Sequence, residues 1–454
     1  MFINLDKENT IPLYEQLYQD IKKKILSNHL AGDVKLPSKR QLSEDLSVSM
    51  TTIEHAYNLL IDENMIYTKE KSGHYVVPTE TLHTQDKKLT AIRIPKRQAS
   101  VLPLGKVDTS IVQNDVIKQL STAVFSDPSL LNSGNRSGET VLKKAIREYL
   151  YVNRGVQCQA EQIFIGPSTE HLLEQVFYLL DYPKVTLEDP GYPTVKNVLE
   201  RLRIPYDTAP VEEDGIDIEM VKHLNNKLTH ITPSHQFPSG AVMSLNKRIR
   251  LLNAVSERDS YLIEDDYDSE FRYTGRPLSS LQGLDQNDRT IYMNTFSKSI
   301  YPSLRIAVMI LPPELAEKYY ESGLSCNVSR QMQYIVARFI SEGYLVRHVN
   351  RVRKFYGEKM KDAVAGLRSR YPEVEISGEH TGMHFILRLP GADLRRAAEK
   401  HKIICMSAYS SAEDFNDTVL VGIGGKSAEE IVEILDEFLG GSLKLAAGAS
   451  PGFI

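Results

Sequence analysis

A chain of 454 residues exceeds one ordinary domain and supplies apolar material for two or three. Its 41% hydrophobic and 25% charged content is that of a water-soluble globular protein, and a formal net charge of −5 gives no global basic signal for nucleic acid. Three scattered cysteines, Cys158, Cys326 and Cys405, form no disulfide framework or zinc site, which fits a reducing, cytoplasmic setting. Met1–Lys7 lacks the basic-then-apolar pattern of a signal peptide, and the absence of a run of about eighteen apolar residues predicts no membrane span.

From Pro12 to Leu26, Leu13, Leu17, Ile21 and Ile25 recur every fourth residue, which predicts a helix with one apolar face. Leu30–Asp33 breaks it. Ser38 can cap a second helix, Lys39–Leu46. Ser49 can cap a third, Met50–Glu63, with Ile53, Ala56, Tyr57 and Leu60 facing inward. Met65–Thr68 and His74–Val77 read as short strands joined by the turn Lys69–Gly73. Three helices and a hairpin make a winged helix-turn-helix over residues 1–78, a plan whose third helix enters the major groove.

Within this span Leu36-Pro37-Ser38-Lys39-Arg40-Gln41-Leu42, Val48-Ser49-Met50-Thr51-Thr52-Ile53 and Ser72-Gly73-His74-Tyr75-Val76 follow in order. Together they resemble the GntR family of bacterial regulators. The resemblance implies that Ser38, Lys39, Arg40 and the start of the third helix, Ser49, Thr51 and Thr52, meet operator DNA. Lys71 and Gly73 fall at the wing tip, where glycine lets the backbone come close or take a positive φ. Met50 stands where many relatives carry arginine. Residues 1–78 hold nine Lys/Arg against eleven Asp/Glu, so the charge must be polarised; Lys35, Lys39, Arg40, Lys69 and Lys71 cluster in the motif regions. The weak total predicts modest affinity per module and reliance on two sites bound by a dimer.

Residues 79–105 show no period and carry Lys87, Lys88, Arg93, Lys96 and Arg97 against Glu80 and Asp86, a basic tether able to touch the DNA backbone. From 106 onward, helices Leu142–Val152 and His171–Leu180 alternate with strands Gln162–Ile165, Lys184–Leu187, Thr229–Thr232, Tyr261–Ile263 and Thr290–Met293. This predicts an α/β sheet covered by helices on both faces, with ligands at the carboxyl ends of its strands. After about residue 320 come helices Gln331–Glu342 and Arg347–Leu367, strands Gly382–Leu387 and Thr418–Ile423, and a closing helix Glu429–Phe438. They read as a smaller part in which His384 packs. The large domain thus spans 106–443, and 444–454 is a small, apolar tail.

Lys298 sits among hydroxyls in Asn294–Ser299, with Arg305 seven residues on and Glu264-Asp265-Asp266-Tyr267 upstream. A lysine that carries pyridoxal phosphate as a Schiff base needs such companions: hydroxyls and an arginine for the phosphate, a carboxylate for the ring nitrogen, a tyrosine near the ring oxygen. Lys298 is the attachment point in this reading, the internal aldimine lysine. Asp265 pairs with the ring nitrogen and Tyr267 donates to the ring oxygen. Arg305, Thr295 and Ser297 hold the phosphate, with Ser168 and Thr169 at a helix N-terminus. Tyr192, in Glu188–Pro193, stacks on the ring. Taken singly these are an ordinary surface lysine, a solvated turn and a helix cap; their conjunction after successive strands carries the reading.

These stretches, with Thr232–Gly240, Glu264–Tyr273 and Glu342–His348 followed by Arg353–Tyr356, are similar to the fold-type-I aminotransferases. From Pro12 to about Leu439 the order of modules resembles the MocR subfamily of GntR regulators. The resemblance implies a pyridoxal 5'-phosphate cofactor, a head-to-tail homodimer and a small-molecule effector, the cofactor itself or an amine or amino acid, that biases two DNA modules. Control of vitamin B6 metabolism is the favoured expectation. The alternatives are control of γ-aminobutyrate, taurine or D-alanine metabolism, an active aminotransferase with a DNA-binding appendage, and a cofactor-free scaffold. Two departures from the enzymes stand out. Their Asn-Pro-x-Gly reads Phe237-Pro238-Ser239-Gly240 here, leaving a ring-oxygen contact absent or supplied by His235 or Gln236. The strand Asp417–Gly424 has no arginine near Leu420 to grip a substrate carboxylate, which argues for weak or half-transamination at most.

Overall fold

The computed structural model describes residues 5–78, 99–274, 278–411 and 415–447, the last seven as backbone only. Most of the expected tether, 79–98, and the end of the expected tail, 448–454, lie outside the described residues. The chain divides into two compact units, Met1–Lys96 and Arg97–Ile454.

In the first unit α1 (Leu13–Leu26), α2 (Lys39–Leu46) and α3 (Met50–Asp62) precede the hairpin of β1 (Ile66–Lys69) and β2 (Gly73–Val76). Ser38 accepts from Gln41 N and Ser49 from Thr52 N, so both expected caps close their helices. The four-residue rhythm of α1 buries Leu17, Ile21 and Ile25 against Ile53, Ala56, Tyr57 and Leu60 of α3, and Ile66 and Val76 of the hairpin close this core. Leu13 is only half-buried. At the tip Gly73 takes φ +116°, a conformation that side chains resist.

The second unit opens with α4 (Asn114–Phe125), α5 (Thr140–Arg154) and α6 (Thr169–Leu179). Its large sheet consists of β3 (Ile163–Gly166), β4 (Val185–Asp189), β5 (Tyr206–Glu212), β6 (Gly215–Ile216), β7 (Leu228–Ile231), β8 (Tyr261–Asp265), β9 (Thr290–Thr295) and β10 (Ala307–Ile310). The spatial order is β3-β10-β9-β8-β7-β4-β5-β6. The run β5-β4-β7-β8-β9 is parallel, while β10 and β6 run antiparallel to their neighbours. Alternation along β3 shows why both faces are covered: Ile163 and Ile165 pack with Leu142, Ile146 and Leu150 of α5, while Phe164 faces Leu172, Val176 and Phe177 of α6. Strand order reverses between β7 and β4, the kind of switch point at whose carboxyl end ligands bind.

The smaller sheet takes β11 (Glu375–Ser377), β12 (His384–Arg388), β13 (Ile404–Cys405) and β14 (Thr418–Gly422), all antiparallel, in the order β11-β12-β14-β13. One face packs Phe385, Leu387, Val419 and Val421 onto the long helix Tyr344–Arg370 and onto Ile431, Leu435 and Phe438 of the closing helix Ala428–Ala447. That helix runs into the segment read as a tail. Residues 99–105, read as tether, belong to this unit. Val101 N and Ser100 Oγ donate to Lys402 O, and Leu102 is fully buried, because two leucines close to a proline give the segment a core contact of its own.

Candidate functional site

β9, β8, β7 and β4 are neighbours and parallel, so their carboxyl ends deliver Thr295, Asp265, the segment after Ile231, and Asp189 to one edge of the sheet. Two aspartates follow one another at the end of β8, and their surroundings differ. Asp266 accepts from Arg154 Nε at 2.7 Å and Nη2 at 3.1 Å, from the Tyr292 hydroxyl at 2.6 Å and from Ser269 Oγ at 2.9 Å. Burial opposes its ionisation, but Arg154 and Tyr292 outweigh it and hold the carboxyl below the usual range. Asp265, 2% exposed, has no hydrogen bond at either oxygen among the described residues. Its neighbour is His230, with Nε2 3.6 Å from Oδ2.

Lys298 lies in the helical turn Phe296–Ser299, opened by Thr295, whose Oγ1 accepts from Ser297 N. Its Nζ stands over the Tyr267 ring, 4.2 Å from the centroid. Burial pushes its pKa down, against the pull of Asp268 and Asp265. Tyr267 and Tyr192 stack 6.3 Å apart and 6° from parallel. Lys298, Asp265, Tyr267 and Tyr192 are thus gathered together, with Thr295 and Ser297 beside the lysine. Ser168 caps α6 through His171 N, and the first amides of that helix, Thr169 and Glu170, have no intrahelical acceptor. Arg305 is exposed at φ +53°; among the described residues it makes no ion pair or hydrogen bond, and none joins it, Ser168 or Thr169 to the lysine.

In the loop that stands in place of Asn-Pro-x-Gly, His235 and Gln236 have different surroundings. The Gln236 amide donates to Pro190 O and Phe237 O and accepts from Ser239 N and Oγ, so it is consumed in shaping the loop. His235 Nδ1 is 2.8 Å from Asp268 Oδ2, and its Nε2 is buried without a partner. Space for this ring depends on Gly382, at φ +74°, where a Cβ would lie 1.9 Å from His235 Cε1. The Tyr267 hydroxyl donates to His235 O at 3.0 Å and sits 3.2 Å from Nδ1, so the group expected to serve the ring oxygen is tied to this loop. His384 is buried beside His235; its Nε2 is 3.0 Å from Pro238 O, and burial pushes its pKa down to about 3, the state of a neutral packing residue. Leu420 is fully buried with Leu104, Phe237, Ile386 and Met406, in an apolar cluster against which Tyr192, Tyr267 and Tyr409 pack.

Sequence reading missed Arg154, which lies 112 residues from Asp266, and it missed the buried Glu188 and His230. Glu188 was visible within the quoted Glu188–Pro193 stretch; His230 looked like one polar position in an apolar strand. A cavity of about 80 Å³ borders Glu188, Tyr192, His230 and Tyr409. The larger groove, about 720 Å³, runs along the long helix past Tyr273, Arg353 and Arg368 and holds none of these groups.

On the winged unit, Ser49 Oγ also meets Thr51 Oγ1 at 3.2 Å and Thr52 Oγ1 at 2.8 Å. Lys39 bridges to Glu54 at 2.6 Å, which ties α2 to α3, and Arg40 pairs with Glu44 at 3.1 Å. Lys69 lies over the Tyr75 ring at 4.7 Å, Lys71 is exposed at φ +60°, and Met50 is half-exposed at the start of α3.

Residues 13–76 match the family described as bacterial regulatory proteins, gntR family. The second unit has the fold of the pyridoxal-phosphate-dependent fold-type-I aminotransferases. An archaeal alanine:glyoxylate aminotransferase superposes with TM-score 0.70 at 22% identity, over 77% of this chain and 91% of that one. The kynurenine aminotransferase of Pyrococcus horikoshii gives 0.66 at 23%, over 75% and 90%. Along the whole chain, the uncharacterised HTH-type transcriptional regulator YdeL of Bacillus subtilis is 37% identical, covering 94% of this chain and 96% of its own. The probable rhizopine catabolism regulatory protein MocR of Rhizobium meliloti is 33% identical over 86% and 84%. The pyridoxine biosynthesis transcriptional regulator PdxR of Corynebacterium glutamicum is 28% identical over 96% and 96%. Fold and relatives define a transcriptional regulator with a helix-turn-helix unit and an aminotransferase-like unit. The chain belongs to the MocR subfamily of GntR-type regulators. Among the described residues no helix is long and apolar enough to cross a membrane.

Proposed function

We propose that this regulator binds pyridoxal 5'-phosphate in its second unit and that occupancy of the site changes how its winged helix holds operator DNA. Asp265 carries the proposal. A buried carboxylate with neither oxygen satisfied is costly unless a cation arrives, and a protonated pyridine nitrogen is such a cation. The other groups fit the same molecule. Lys298, partly desolvated, offers an amine for covalent attachment. Tyr192 offers a ring face, and Arg305, Ser297, Thr295, Ser168 and the Thr169 amide suit a phosphate. When bound, the group supplies an electron-withdrawing ring. The chain's own residues bind and orient it, and the apolar cluster around Leu420 excludes water.

That cluster also favours a sensor over an aminotransferase. An α-carboxylate finds no cation at Leu420, Phe237 or Ile386, so the cofactor itself suits the site better as effector than an amino acid does. Similarity to PdxR, named for pyridoxine biosynthesis, supports control of vitamin B6 metabolism. The protein acts in the cytoplasm as a head-to-tail homodimer, whose two winged helices address two half-sites.

The test is an absorbance titration of the full chain with pyridoxal phosphate, followed by operator binding. A new visible band is expected in wild type and not in Lys298→Ala, with operator affinity that differs between free and loaded protein. Equal operator affinity with and without the ligand would overturn the sensing role. Multiple-turnover transfer from an amino acid to a keto acid would favour the enzyme reading instead.

A further inference from the structure

Three ionisable side chains on adjacent parallel strands are buried with polar atoms that have no hydrogen-bond partner among the described residues. Glu188, on β4, accepts from Thr232 N at 3.1 Å and Thr232 Oγ1 at 2.7 Å through Oε2, while its Oε1 has no partner. His230, on β7, is 3% exposed and unpartnered at Nε2. Asp265, on β8, is unpartnered at both oxygens. The register sets His230 level with Ile263, two residues before Asp265 on the same face of β8, and Glu188 lines the same small cavity as His230 near the carboxyl edge. The 3.6 Å from His230 Nε2 to Asp265 Oδ2 is too long for a hydrogen bond but close enough for an ionic contact.

We infer that His230 is a positioning residue for the cofactor, keeping the Asp265 carboxylate ionised and acting through it on the ring nitrogen, with Glu188 as a second carboxyl beside the imidazole. The inference rests on the pyridoxal phosphate reading. A carboxylate can grip a ring N–H⁺ only while ionised, and a buried carboxyl with no donor or cation nearby takes up a proton instead. His230 supplies the donor or cation from the side of β7. Glu188 completes the set: burial pushes its carboxyl up to about 7, against Thr232 and His230. Glu188, His230, Tyr192 and Lys196 border one cavity of about 80 Å³.

The experiment measures equilibrium binding of pyridoxal phosphate and of its 1-deaza analogue, which has a carbon in place of the ring nitrogen, to the full chain. The variants are His230→Phe, His230→Gln and Asp265→Asn, with thermal unfolding checked for each. His230→Phe is expected to weaken pyridoxal phosphate about ten-fold, the loss of one interaction with a charged group, and to leave the deaza analogue unchanged. His230→Gln, which keeps a donor, recovers most of the loss. On the Asp265→Asn background, His230→Phe adds nothing. Equal losses for both ligands would reduce His230 to packing and overturn the inference, as would unchanged affinity for pyridoxal phosphate. If wild type takes up neither ligand, the cofactor reading itself falls and this inference falls with it.

Discussion

Lys298 Nζ stands 4.2 Å from the centre of the Tyr267 ring, which also stacks with Tyr192 and donates a hydrogen bond to the His235 carbonyl. The amine faces a π surface rather than a carboxylate, and burial lowers its pKa. More of it is therefore unprotonated at neutral pH than of a surface lysine. Borohydride trapping with limiting pyridoxal phosphate should label one peptide, the one containing Lys298. Spread of the label over surface lysines, read by mass spectrometry, would contradict this.

Arg154 and Asp266 hold the base of the site. Removing one member of a buried, fully bonded ion pair leaves an uncompensated charge, which costs about 3–5 kcal/mol. Arg154→Ala should lower the denaturant midpoint of the large unit accordingly, while exposed Arg250→Ala should change it by less than about 0.5 kcal/mol.

Glu270 gives a pH signature. Burial, with Asp266 nearby, raises its carboxyl from 4.5 to about 7. Between those values the unfolded chain has released a proton that the folded chain retains, so stability falls as pH rises. Glu270→Gln should match wild type at pH 4 and be more stable at pH 8 by about 3 kcal/mol, from the size of the shift. Parallel unfolding curves across that range would refute the assignment.

In the winged unit, cap and contact can be separated. Ser49→Ala removes the acceptor for Thr52 N and should cost about 1 kcal/mol of stability. Lys71→Ala should leave stability alone, weaken operator binding evenly across sequences and reduce the salt slope by about one. A Lys71→Ala protein with an unchanged salt slope would remove the wing tip from the interface.

Much of this architecture was legible where local rules decide. Ser38 and Ser49 mark helix starts because a hydroxyl there satisfies an amide that nothing else in the helix can. Strand β8 and the Asp265–Tyr267 run were legible because an apolar strand ends abruptly in polar groups. What pairing decides was not legible. The antiparallel β10, wedged between β3 and β9, is an apolar run like any other until its neighbours are known. Asp265 and Asp266 look alike in the sequence, and the arginine 112 residues away that occupies Asp266 could not be seen there. Tyr267 was assigned its place but not its hydrogen bond, since its partner is a loop carbonyl with no sequence signature.

Leu420 gives this wall of the domain a composition that single substitutions cannot easily change. Its side chain is interlocked with Phe237, Ile386, Met406 and Leu104, and a guanidinium introduced there would arrive with no acceptor and several displaced neighbours. Leu420→Arg alone would therefore unsettle the wall before it could grip a carboxylate, and only a coordinated set of changes could restore the grip. Side chains that interlock in this way change together or not at all, so packing at this wall acts as a ratchet against the stepwise arrival of a carboxylate-gripping arginine.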